Sequence, residues 1–235
     1  MSVAVPNERG DLWRFAVLPI VVLNLGGIAI FGAYYGLASQ QPDAATKLSS
    51  GQVMAFLYVF IAVVEWSFAL ALIHKLRAAG IGVGQLVAPA GNAWRFRVGP
   101  ALVLFLAFNA VFALYVAAAR ATGSWPAASD LVLWQRLLIV LVVPASAAFC
   151  EELIWRGYLI GRLQAGGRGQ RAAIALAALS FALIHGIFLP DKLAVTFVLG
   201  LIGGAYYVRE RHLLPLMATH LVVDLWSFAL YLFAV

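Results

Sequence analysis

LLIVLVVPASAAFCEELIWRG, residues 137–157, decides what kind of chain this is. Residues 137–150 carry no charge, and then Glu151, Glu152 and Arg156 arrive inside the same apolar run. On a helix in water such a triplet is ordinary surface. In hydrocarbon each charge costs on the order of a few kcal/mol, even on insertion scales. A chain that keeps the three needs partners for them, or water, inside a bundle.

Outward from that run, the chain has 235 residues, of which 64% are apolar and 11% charged. The mean hydropathy is +0.94, far outside the range of soluble domains. Runs near the ~20 residues that cross a bilayer core fall at 13–37, 52–74, 99–119, 131–162, 172–189, 193–208 and 213–234. The expectation is an all-α transmembrane helix bundle of about seven spans, a multi-pass integral membrane protein. In a bacterium it would sit in the plasma or inner membrane. The first run is too long for a signal-peptide core and reads as a retained span. Residues 1–235 read as one membrane domain, with a core at about 131–234 that carries most of the in-span ionisable residues.

The net charge of +6 and pI near 9.8 do not indicate nucleic acid, because the basic residues are dispersed among loops without interleaved aromatics. They read as topology signals. Arg9, Arg14, Lys75, Arg77, Arg95, Arg97, Arg162, Arg168, Arg171, Arg209 and Arg211 fall on one side, against Lys47, Arg120, Arg136 and Lys192 on the other. The positive-inside rule then gives N-in, C-out. Trp13, Trp94, Trp125 and Trp134 near span ends suit interfacial belts. The single cysteine, Cys150, excludes an internal disulfide framework and any multi-cysteine zinc site, and reads as a small buried apolar residue.

Ionisable residues recur in the C-terminal half: Glu151, Glu152 and Arg156, then His185 in SFALIHG, then His220 and Asp224 in THLVVDLW. Each is a functional candidate that needs a partner. Four residues apart on a helix, Glu152 and Arg156 share a face and form an ion pair, while Glu151 projects ~100° away. Glu151 is thereby free to face a cavity and take a proton from water, the work of a general base. His185 follows Phe181 by one turn, and His220 and Asp224 form a second i,i+4 edge. Counted at 1.5 Å per residue, Glu151, His185 and His220 lie at roughly similar depth, about 10–20 Å from the basic ends. Glu65, in VVEWSF, reads as a structural or gating partner. The glycines of FVLGLIGG allow close helix approach.

These residues resemble a known set. EELIWR matches the EExxxR motif, FALIH the FxxxH motif, FVLGLIGG the FxxGxxxG motif and HLVVD the HxxxN/D motif of the CPBP (CAAX protease and bacteriocin-processing, or ABI) family of intramembrane proteases. The resemblance implies an all-helical protease acting on a peptide or protein substrate in or beside the bilayer. Carried over by motif, Glu151 is the base that activates water and His185 assists it. Glu152 and Arg156 are the supporting ion pair, and His220 and Asp224 stabilise the oxyanion. Relatives carry Asn where this chain has Asp224, and an ionised aspartate cannot donate to an oxyanion. Asp224 is therefore either protonated or orients His220.

Family members are described both as metalloproteases and as metal-independent glutamate proteases. The glutamate type is the expectation, with no cofactor. In a zinc enzyme the ligands would be Glu151, His185, His220 and Asp224. The competing class is a noncatalytic transporter, immunity or scaffold protein with a buried polar network.

Overall fold

The computed structural model describes residues 10–40, 50–88, 97–122 and 131–233, and among them every regular element is helical. Arg9, Lys47, Trp94, Arg95 and Trp125, named above as topology signals, lie outside the described residues. A π-helical stretch, Trp13–Val17, leads into α1 (Leu18–Gln40). There follow α2 (Ser50–Ala78), the short α3 (Val83–Val87), α4 (Val98–Ala121) and α5 (Leu133–Glu151). From α5 the chain runs on through a π-helical segment, Glu152–Leu159, into α6 (Ile160–Ala165). The last three helices are α7 (Gln170–Ile184), α8 (Pro190–Glu210) and α9 (Leu214–Phe233).

Among the described residues six helical runs are long and apolar enough to cross a bilayer, and the protein is a multi-pass integral membrane protein. The seventh expected span, 172–189, is cut short. Helix α7 has 15 residues, about 22 Å of rise, against a hydrocarbon core of ~30 Å. Gly186 ends it with φ of 118°, a conformation that suits glycine. His185 is consequently the C-terminal cap of α7 rather than a residue within a span.

The continuous column α5–π–α6 is the axis of the fold. An apolar helix with polar faces would turn one side out, but residues 152–160 are buried on all sides, as expected of a helix surrounded by others. Helices α2 and α9 pack on α5, α7 packs on the π-helical segment, and α1, α8 and α4 complete the surround. The outer faces stay apolar and exposed, at Leu25, Phe56, Val63, Leu102 and Leu114, because lipid is their solvent.

The expected sorting of charge between two ends is seen in the contacts. At one end Asp11 pairs with Lys75 at 3.2 Å and Arg162 at 3.4 Å, and Arg97 pairs with Glu210. The Leu213 amide donates to the Val87 carbonyl at 2.8 Å in the same layer. At the other, Arg136 Nη1 donates to the Leu232 carbonyl at 2.7 Å.

Helices α7 and α8 approach to backbone contact at the glycines. A Cβ built on Gly200 would stand 2.9 Å from Ala178 Cβ, and one on Gly204 would stand 2.9 Å from Ile174. Gly200→Leu is therefore expected to destabilise the fold by about 1–3 kcal/mol through overpacking and to push α7, with His185 at its end, off the bundle. Thermal unfolding in detergent checks this, with Gly99→Ala as control because nothing lies within 4 Å of that Cβ.

Candidate active site

The site forms where the α5–π junction, the end of α7 and the middle of α9 meet. Glu151 is the last residue of α5, and Glu152 opens the π-helical segment. The wider π turn is a local departure from the i→i−4 ladder, of the sort found at functional sites. It carries Glu152, Trp155 and Arg156 together into the core, where none is more than 2% exposed.

The expected ion pair is present: Arg156 Nη1 lies 3.1 Å from Glu152 Oε1. Two further features hold the guanidinium. It lies over the Phe181 ring, 4.1 Å from the centroid, a cation–π arrangement that answers charge without water. Gly203 leaves room for it, since a Cβ there would come within 3.3 Å of Arg156 Nε. Phe181 also stands edge-on to His185 and His220, with centroids 4.7 and 6.4 Å away. The first residue of the FxxxH motif thus packs against three of the site's polar groups. Trp155 Nε1 donates to Ser180 Oγ at 3.0 Å, and Ser180 Oγ donates to the Ala16 carbonyl at 2.7 Å, which fixes α7 against the column and the π-helical stretch ahead of α1.

Both histidines have one ring nitrogen already committed. His185 Nδ1 lies 2.9 Å from the Phe181 carbonyl, and a carbonyl only accepts, so Nδ1 carries the proton. In the neutral ring Nε2 then presents its lone pair, 3.9 Å from Glu151 Oε1. His220 Nδ1 donates to Glu152 Oε1 at 2.9 Å. Its Nε2 is left 3.6 Å from Glu151 Oε2 and 3.5 Å from Asp224 Oδ2. Glu152 therefore supports two groups, Arg156 and His220, and ties the column to α9.

All six residues singled out in the C-terminal half converge: Glu151, Glu152, Arg156, His185, His220 and Asp224. Glu151 is 3% exposed, and His220 8%. The distances from Glu151 to the two Nε2 atoms exceed a direct hydrogen bond and are within the reach of one bridging water.

Glu65, read from the sequence as a structural or gating partner, stands beside the site. From α2 it enters the same chamber, 4% exposed, with Ser146 Oγ 3.4 Å from its Oε2 and its carboxyl within reach of Glu151. Its signal was there, an isolated carboxylate in an apolar span, but nothing in one sequence pairs residue 65 with residue 151.

Zinc needs several donors around one point. Among the described residues no group of three or more His, Cys, Asp or Glu side chains converges in that way.

Residues 133–226 match the protein-family model described as type II CAAX prenyl endopeptidase Rce1-like. The matched stretch contains all four motifs and every residue of the cluster except Glu65. It agrees with the CPBP resemblance read from the motifs. No curated protein and no solved structure matches the chain.

Proposed function

We propose, from the premise that residues 133–226 form an Rce1-like endopeptidase domain, that the chain hydrolyses a peptide bond of a membrane-associated substrate with a water activated by Glu151. The observation that carries this reading is the placement of Glu151, its two oxygens 3.9 Å from His185 Nε2 and 3.6 Å from His220 Nε2.

A water held by Glu151 Oε1 and His185 Nε2 gives a proton to Glu151 as its oxygen bonds to the scissile carbonyl carbon. The carbonyl π pair moves onto oxygen. His220 and Asp224, on the far side of Glu151, are the groups available to the oxyanion. With Nδ1 donating to Glu152, a protonated His220 presents Nε2–H, which makes it the donor, and Asp224 at 3.5 Å orients that ring. Collapse breaks the C–N bond, and Glu151 returns its proton to the leaving amine. Arg156 keeps Glu152 ionised, so that Glu152 holds His220 and does not compete as the base.

The substrate class that fits is a CaaX-type C-terminus, a leader peptide or a C-terminal anchor peptide presented from the bilayer. The glutamate type is favoured over the metallo type because Glu151 already supplies a base without an ion. Purified protein in liposomes should cleave membrane-tethered peptides of one of these classes, and its rate should survive EDTA and 1,10-phenanthroline. Loss of activity on chelation, restored by zinc, would overturn the glutamate mechanism. Proton-driven solute flux without cleavage would overturn the protease reading itself.

A further inference from the structure

Helix α7 ends at the depth of the site, and its last carbonyls and the turn that follows require partners where water is scarce. The side chain that serves them comes from α1. Asn24 lies thirteen residues beyond Asp11, about 20 Å along the helix from the basic end. Its Nδ2 donates to the Leu183 carbonyl at 2.9 Å and to the Ile20 carbonyl at 2.8 Å. Its Oδ1 accepts the Ile187 amide at 3.1 Å.

Leu183 and Ile187 flank His185 by two residues on either side. One amide side chain thus bridges the backbone before and after the histidine, across the Gly186 turn with its φ of 118°. Within the bridged segment the His185 amide donates to the Ala182 carbonyl at 3.0 Å, a tightened last turn. A glycine turn has wide conformational freedom, so the Asn24 clamp restrains the backbone that carries the imidazole, beside the ring's own bond to the Phe181 carbonyl.

We infer that Asn24 is a positioning residue for His185: the N-terminal half of the chain, outside residues 133–226, supplies the side chain that sets the catalytic imidazole against the base. This rests on the reading of His185 as a participant in hydrolysis. Asn24 itself touches no reacting atom. Its effect passes through the backbone at Leu183 and Ile187.

The test compares Asn24→Leu, which keeps the volume and removes all three bonds, with Asn24→Gln, which keeps both an amide donor and an acceptor. For Asn24→Leu, kcat should fall roughly 10- to 100-fold, the effect of an ångström-scale misplacement, with KM within about twofold of wild type. Asn24→Gln should recover most of the loss. Two readouts do not depend on cleavage. In Asn24→Leu the imidazole NMR signals of His185 should shift and those of His220 stay in place, and hydrogen exchange at the Gly186 and Ile187 amides should accelerate. A protein that cleaves none of the chosen peptides, yet shows these NMR and exchange changes, keeps the clamp and loses the protease reading. Wild-type kcat in Asn24→Leu, or His185 signals unmoved in it, would sink the clamp. Equal shifts at His185 and His220 would also overturn it, since they mark a general loosening of the bundle.

Discussion

Glu151→Gln is expected to reduce cleavage by at least about 10³-fold, within the range general-base removal spans, while the protein inserts and unfolds at close to the wild-type temperature. The amide keeps the volume of the carboxylate, and the residue is 3% exposed, so packing is preserved. What is lost is the capacity to accept a proton from water. The neighbours offer no substitute. Glu152 is occupied by Arg156 and His220, and His185, which faces the same water through Nε2, is left without the carboxylate that it assists. The contact with Glu65 is also relieved of one negative charge in this variant, so stability should be unchanged or slightly higher. A folded Glu151→Gln protein that cleaves at more than a tenth of the wild-type rate refutes the assignment of Glu151. Steady-state cleavage of a tethered peptide, alongside thermal unfolding of the same preparation, decides it.

The membrane class and most of the site were legible in the sequence because charge in hydrocarbon is expensive and periodicity is local. Glu152 with Arg156, and His220 with Asp224, are i,i+4 pairs whose association follows from helix geometry alone, and the structure places each pair in contact. The convergence of the pairs was an expectation from depth, and the contacts of Glu151 with both histidines realise it. Less visible were features set by tertiary context. The π-helical turn at Glu152–Leu159 leaves no mark in an apolar stretch, because its residues would propagate an α-helix equally well. The end of α7 was placed late, at 189, since Ile187, Phe188 and Leu189 continue the apolar run although Gly186 breaks the helix. Asn24 and Glu65 are single polar residues whose partners lie 159 and 86 residues away, at Leu183 and Glu151. No local rule connects such pairs.

Removing the arginine of the site should produce the largest loss of stability. Arg156 is 2% exposed and Glu152 0%, so Arg156→Met leaves a buried carboxylate with only His220 to answer it. Breaking one side of such a pair typically costs about 3–5 kcal/mol, and cation–π contact with Phe181 disappears as well. The bundle should unfold at markedly lower temperature, and cleavage should fall with it. A second substitution separates stability from chemistry. In Arg156→Met combined with Glu152→Leu no ion is stranded, and replacing a buried pair with apolar groups of similar volume is often neutral or stabilising. The double variant is expected to recover most of the lost stability and almost none of the activity. His220 will have lost the acceptor that fixes its Nδ1 proton, and Nε2 will no longer be held against Glu151. If the double variant regains activity along with stability, Glu152 and Arg156 serve only to hold the fold together. If it stays inactive though stable, Glu152 is the group through which Arg156 governs the orientation of His220.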